Sequence, residues 1–337
     1  MRGAARRPAV IPPQLDVVAI GDAIVDVIAT CDDSFLEAHR LTKGSMQLLE
    51  TEQADALYAA MGPAREISGG SAANSMAGVA ALGLHAAFVG QVADDQLGDI
   101  FAHDMKSLGV RFDTKPIADG LPTGRCLILV TPDAQRTMNT CPGASHELTT
   151  RALDENLIRS AAITFLEGYL WGPERPRHAM LRAAQIAHEA ERTVAFTLSE
   201  SLCIPGRKEG VLGMIEGGMI DILFANEDEA KLLAASTDLD GAIAKLQPLV
   251  STLIVTRGAA GAMAIERGRR VDVPAAPVDG IVDTTGAGDL FAAGFLAARC
   301  RARPLERCLE AGALAAAEVI SHFGARPEKD LREVVRL

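Results

Sequence analysis

The sequence predicts an α/β protein in three layers, with a mostly parallel central sheet covered by helices on both faces. Two observations carry this reading. Apolar runs of four to six residues alternate with amphipathic or alanine-rich segments along most of the chain, the pattern of strands buried on both faces. Hydrophobic residues make up 48% of the 337, enough to bury a large core as one unit.

The elements follow in order. Residues 16–20 form an apolar strand ending at Gly21. Residues 72–82 are an alanine-rich helix closed by Gly83, and residues 86–90 the next strand. A helix over 96–108 stops at Gly109, a glycine placed to end it in the left-handed conformation. Strands are then expected at 163–166, 194–197, 222–225 and 253–256, with a helix over 177–190 between the first two. Two segments break the rhythm. Residues 29–50 and 110–143 carry short β-like stretches without intervening helices, and 123–130 with 136–141 reads as a hairpin around Pro132-Asp133-Ala134. Small antiparallel excursions of this kind form lids, so the expectation is one core, residues 14–337, with one small β lid.

Composition excludes several functions. A net charge of −11 without a long basic run argues against a nucleic-acid partner, and any phosphate site must be built locally. The six cysteines show no metal spacing and no disulfide pattern, which points to free thiols and a cytoplasmic setting. Residues 1–13 are basic and proline-bearing and lack the apolar stretch of a signal peptide, so they read as a disordered tail. No run of about twenty uncharged apolar residues predicts a membrane span.

The chemistry is concentrated in Asp283-Thr284-Thr285-Gly286-Ala287-Gly288-Asp289. Gly280-Ile281-Val282 before it reads as the end of a strand, and the apolar run from Leu290 as a helix. Glycines in such a turn let the backbone approach closely, and the free N–H groups of a first helical turn bind an anion. A carboxylate at Asp289 would stand ready to take a proton from a hydroxyl held beside that anion, an arrangement suited to phosphoryl transfer. The plainer reading makes Asp289 an ordinary helix cap. No Gly-x-x-x-x-Gly-Lys-Ser/Thr loop is present, and Phe291 stands where a dinucleotide fingerprint needs a third glycine.

Upstream, Gly69-Gly70-Ser71-Ala72-Ala73-Asn74-Ser75 opens a helix, with Asn74 in its first turn. Asp22 and Asp26 follow the first strand, and Asp26 lies among Ile24, Val25, Val27 and Ile28, where a charge needs a partner. Asn226-Glu227-Asp228-Glu229 and Thr256-Arg257-Gly258 follow two later strands. The acidic turn is otherwise explained by the helix dipole, and the second by a plain strand exit.

The heptad and the Gly69–Ser75 motif, in this order and separation, resemble the ribokinase-like PfkB carbohydrate and nucleoside kinases from about Val17 to Pro327. The resemblance implies the ribokinase-like fold and a kinase that uses ATP and Mg2+ and admits a monovalent cation. Asp289 would be the catalytic base, Gly286, Ala287 and Gly288 the anion hole, and Arg136 a lid residue reaching the transferred phosphate. Asp22, Asp26, Gly69, Gly70 and Asn74 would bind the acceptor, with Tyr169 beside its base. Asn226 and Glu229 would organise Mg2+ and its waters, and Asn226, Thr256, Gly258 and Thr284 would bind the nucleotide. Within the family, Thr197-Leu198-Ser199-Glu200-Ser201 and Met46-Gln47-Leu48-Leu49-Glu50 are most similar to adenosine kinases. Tyr169 and Trp171 would form a stacking wall or pack under the lid. Ala73 and Asp22 depart from that pattern, where glutamine and asparagine are usual. The alternatives are a sugar kinase of the same fold and a non-catalytic nucleotide-binding regulator. The expected partners are ATP and a nucleoside or sugar, in a monomer or homodimer.

Overall fold

The structure, a computed structural model, describes residues 13–199 and 208–337. Most of the expected tail therefore lies outside the described residues, as do Glu200, Ser201 and Cys203. From the start of the chain, β1 (Leu15–Ile20) passes through Gly21 and Asp22 into β2 (Ile24–Thr30). Then come α1 (Asp33–Ala38), β3 (Met46–Leu48), α2 (Thr51–Ala60) and β4 (Arg65–Gly69), which turns at Gly70 into α3 (Ser71–Ala81). Next are β5 (Ala86–Val89), α4 (Gln96–Ser107), β6 (Val110–Phe112), and a hairpin of β7 (Gly124–Val130) and β8 (Arg136–Cys141).

The second half begins with α5 (Glu155–Ser160), β9 (Ala161–Glu167), α6 (Glu174–Glu189) and β10 (Thr193–Thr197). It continues through α7 (Lys208–Glu216), β11 (Ile222–Asn226), α8 (Glu227–Ala234), α9 (Leu239–Leu246) and β12 (Thr252–Thr256). The hairpin β13 (Ala262–Glu266) and β14 (Arg269–Val273) precedes the closing helices α10 (Ala287–Cys300), α11 (Leu305–Val319) and α12 (Leu331–Val335).

Among the described residues, nine strands form the large sheet in the order β14-β13-β12-β11-β10-β9-β1-β5-β6. It is parallel from β12 to β6 and antiparallel only through β13 and β14. Alternate residues of β1 feed two different cores, which is why the strand reads as a continuous apolar run. Val17 and Ala19 pack with Met76, Phe101, Phe295 and Leu309, whereas Val18 and Ile20 pack with Ile158, Met180 and Ile186. The three layers are therefore as expected. The small residues of α3 have a packing reason: a Cβ at Gly78 would fall 2.7 Å from Ala293 and Leu290 on α10.

The small sheet has the order β3-β8-β7-β2-β4. Its alternation explains a carboxylate inside an apolar run. Val25, Val27, Leu127 and Leu129 join the core with Ala54 and Leu57 of α2, while Ile24, Asp26, Cys126 and Ile128 face a cavity. Its composition corrects the segments expected from sequence. The sheet begins at Ile24 and includes Arg65–Gly69, α1 interrupts the first segment, and Val110–Phe112 pairs with β5 in the large sheet. A six-residue helix is too short to display a helical period, and β6 lies next to its sheet partner in space but not in sequence.

Residues 280–282 are not a strand, another correction. Ile281 is 66% exposed, and Val282 is held by its N–H donating to the Ile320 carbonyl at the end of α11. Two adjacent β-branched residues mimic a strand but have no sheet neighbour to pair with.

Candidate active site

The carboxyl ends of β1 and β9, the turn into α3, the start of α10 and the inner face of the small sheet enclose a cavity of about 490 Å³. It lies where the large sheet reverses its order of growth, since the chain adds β5 and β6 on one side of β1 and β9 onward on the other. Such a switch point opens a crevice between strand ends.

The heptad forms a loop that delivers α10. Gly286 is the N-cap in the left-handed conformation (φ 79°, ψ 0°), where a Cβ would also meet Ala325 at 2.7 Å. Gly288 differs: a Cβ there would meet nothing within 4 Å, so the backbone of the first helical turn stands open. The N–H of Ala287 is taken by the Thr284 carbonyl at 3.2 Å, whereas those of Gly288 and Asp289 have no carbonyl four residues earlier in the helix and with the helix dipole favour an anion. Asp283 anchors the loop by accepting from the N–H and hydroxyl of Thr285 and the N–H of Gly324. Burial opposes its charge, but these bonds and Arg136 hold its carboxyl below the usual range.

Arg136, at the start of β8, reaches across from the small sheet. Its Nη1 lies 2.7 Å from Asp283 Oδ2 and donates to Thr285 Oγ1 at 3.1 Å, placing the guanidinium on the loop that delivers α10.

Asp289 is the third residue of α10 and does not cap it, because Gly286 occupies that position. Its carboxylate turns toward α3 instead. Oδ1 accepts from Ser71 Oγ at 2.6 Å and Oδ2 from Asn74 Nδ2 at 2.8 Å. Burial raises its pKa, opposed by those two bonds and by the charge of Arg326. An expectation based on the helix dipole alone has the opposite sign, so Asp289 is a better proton acceptor than an exposed aspartate.

Asp26 projects from β2 onto Gly69, where any Cβ would overlap its carboxylate. Burial pushes its pKa up to about 6, against the pull of Arg326 and Arg136 and with a further push from Asp289. Asp22 lies at the end of β1, its Oδ1 accepting from Ser145 Oγ at 2.8 Å. Gly70, the N-cap of α3, and Thr284 also line the cavity. Beyond this polar floor the wall is largely apolar, built from Ile24, Met46, Ile128 and Met138 with Gln47, Thr140 and His146 among them, and Tyr169 and Ser199 also line the cavity. Trp171 is not part of that wall. It is 3% exposed and packs edge-on against Phe196 in the core, so it cannot stack on a ligand.

Other expected site residues lie outside this lining. Asn226 and Glu229 form a reciprocal cap on α8, each side chain accepting the other's N–H at 2.8 Å. Thr256 ends β12, and Gly258 begins the short turn after it. Among the described residues no three acidic, histidine or cysteine side chains converge on a point that would hold a metal ion.

Three residues were not assigned roles from the sequence. Ser71 sits inside the glycine motif. Glu167 ends the apolar run of β9 and is fully buried, its oxygens accepting the N–H groups of Asp22 and Ala72. Burial raises its pKa strongly, and the charge of Asp22 adds to this. The argument that singled out Asp26, a charge in an apolar run, applies to Glu167 unchanged. Arg326 donates to the carbonyls of Ala73 and Ser68, and burial lowers its pKa to about 10 despite Asp26 and Asp289 nearby. It follows the last long helix, and nothing in its local sequence marks it.

Residues 14–331 match the model of the pfkB family carbohydrate kinases. The chain is similar to a solved structure of adenosine kinase from Sinorhizobium meliloti, at 46% identity and a TM-score of 0.89, covering 96% of this chain and 99% of that one. It is comparably similar to a probable sugar kinase from Rhizobium etli CFN 42, at 43% identity and a TM-score of 0.90, covering 96% and 98%. Adenosine kinase from Saccharomyces cerevisiae is 26% identical over 332 residues, covering 91% of this chain and 95% of that protein.

Proposed function

This chain belongs to the pfkB family of carbohydrate kinases, phosphotransferases that act on hydroxyl groups, and we propose that it moves the γ-phosphoryl group of ATP to the 5′-hydroxyl of a ribonucleoside, adenosine first. The observation that carries this reading is the division of the cavity into two zones. Asp22, Asp26 and Asn74 form a polar floor suited to ribose hydroxyls, and a wall made mainly of Ile24, Met46, Ile128 and Met138, with Gln47, Thr140 and His146 interspersed, continues beyond it. A simple sugar is polar around its whole rim and leaves such a wall unpaired, whereas a nucleobase offers it an apolar face. The adenosine kinases among its relatives support the same choice. A sugar acceptor is the second reading, favoured by the comparably similar sugar kinase.

In the proposed reaction the 5′-hydroxyl lies beside Asp289, which takes its proton as the oxygen attacks the γ-phosphorus, and ADP leaves. First-turn N–H groups of α10 and the guanidinium of Arg136 receive the charge on the transferred group. At a net charge of −11 these local groups, not the global field, must attract the phosphates. Mg2+ would neutralise phosphate charge, its ligands drawn chiefly from ATP and water. The oxygens of Asn226 and Glu229 that cap α8 are engaged with each other's N–H, which suits a role through water better than direct coordination. Thr256 and Gly258 would meet the donor nucleotide outside the acceptor cavity. The reaction would return free nucleosides to the nucleotide pool in the cytoplasm, a setting that suits the free cysteines among the described residues.

ADP release with ATP-Mg and a panel of adenosine, inosine, guanosine, cytidine, ribose and fructose tests the acceptor. Adenosine is expected to give the highest kcat/KM. Efficient turnover of ribose or fructose, with every nucleoside inert, would replace the nucleoside reading with the sugar reading.

A further inference from the structure

Glu167 is fully buried, and the reaction as described does not use it. It stands at the switch point, at the end of β9 beside β1, and divides its two oxygens between two parts of the site. Oε1 accepts the N–H of Asp22 at 2.5 Å, on the strand end that leads to the acceptor floor. Oε2 accepts the N–H of Ala72 at 2.7 Å, in the first turn of α3. That turn has no capping side chain of its own, because its N-cap is Gly70. A carboxylate 95 residues away closes it instead. Ala72 adjoins Ser71 and lies two residues before Asn74, the two side chains that hold the Asp289 carboxylate. The surroundings make room for this arrangement: at Gly21 a Cβ would fall 2.8 Å from the Glu167 carboxyl carbon.

A local serine or aspartate would cap α3 without the desolvation cost of a buried anion. A group reaching from β9 hydrogen-bonds the start of α3 and the end of β1 at once, which a local cap cannot do. We infer that Glu167 is a positioning residue that fixes the acceptor-binding strand end and the base-holding helix in one register, so that the bound hydroxyl stays aligned with Asp289. This rests on the acceptor site and base proposed above.

The test is steady-state kinetics with ATP and adenosine for the wild type, Glu167→Gln and Glu167→Asp, together with thermal melting of each. Glutamine fills the same space but offers one acceptor oxygen and turns an NH2 toward one of the two donors. Aspartate keeps the charge but withdraws it by one methylene. Misalignment of about 1 Å costs up to roughly 10²-fold in rate, so kcat is expected to fall by about 10- to 100-fold in both variants. The KM for ATP should stay within about twofold, since the donor site is untouched. A folded Glu167→Gln enzyme with wild-type kcat and only a lower Tm would make Glu167 a helix cap and overturn the inference. If the glutamine variant does not fold, the aspartate variant is judged by the same criterion. A wild type inert on every acceptor would sink the proposed function and this inference together, whereas an active wild type matched by its variants sinks the inference alone.

Discussion

Asp289→Asn is expected to lower kcat by about 10²- to 10⁴-fold, the usual contribution of a positioned general base. ATP affinity should be nearly unchanged, because the helix N-cap is Gly286 and the first-turn N–H groups remain in place. The variant should also fold. Ser71 can rotate its hydroxyl and Asn74 can reverse its amide, so both keep a partner when one carboxylate oxygen becomes NH2. Burial raises the pKa of Asp289 and thereby improves it as a base, while Ser71 and Asn74 limit the rise and aim both oxygens. Single-turnover measurements at saturating ATP check the prediction. Wild-type turnover by a folded Asn variant would leave the heptad as an anion cradle without a base.

Asp26→Ala is expected to raise the acceptor KM strongly, lower kcat, and reduce kcat/KM by about 10²- to 10⁴-fold. Two hydrogen bonds to a charged acceptor are each worth roughly 1.5–3 kcal/mol, and they both bind the sugar hydroxyls and aim the nucleophile. The ionised form must do this work, so kcat/KM for the free enzyme should rise with pH through about 6. Asp289 interacts with Asp26, so this limb belongs to the pair. Stability should move the opposite way. The folded-state pKa of about 6 lies above the ordinary 3.8, so the folded protein binds extra protons between these values and loses stability as pH rises through them. Asp26→Asn removes that cost. The ligand-free variant should melt above the wild type at about pH 7.5, by at most roughly 3 kcal/mol of stability, and lose the advantage below about pH 4. Unchanged kinetics in Asp26→Ala would return the residue to a structural role.

The parts of this architecture that were legible in sequence are those set by local pattern. The strands β1, β5, β9, β10, β11 and β12 appear as short apolar runs because both of their faces are buried, and α3 and α4 end at glycines as expected. The glycine turns that start α3 and α10 were legible because each is compact in sequence. What was hidden depends on distance. Glu167 and Asp22 meet across 145 residues, and Ser71 and Asp289 across 218, so no window along the chain contains either pair. The rise in the Asp289 pKa was hidden for the same reason: the helix dipole, which favours the ionised form, is local, whereas the burial that outweighs it is not. Trp171 stayed open between a ligand wall and packing, and the run 280–282 reads as a strand end, because an aromatic or β-branched residue looks alike in a core, a ligand wall and an exposed loop.

The most direct test of the account is the position of the phosphate in the product. Incubation of the enzyme with adenosine and γ-labelled ATP-Mg, followed by separation and phosphorus NMR, should give 5′-AMP in one-to-one yield with ADP. Asp289→Asn should abolish nearly all of it. ADP formed without labelled AMP, or label recovered only on ribose or fructose when these are supplied alongside, would contradict it.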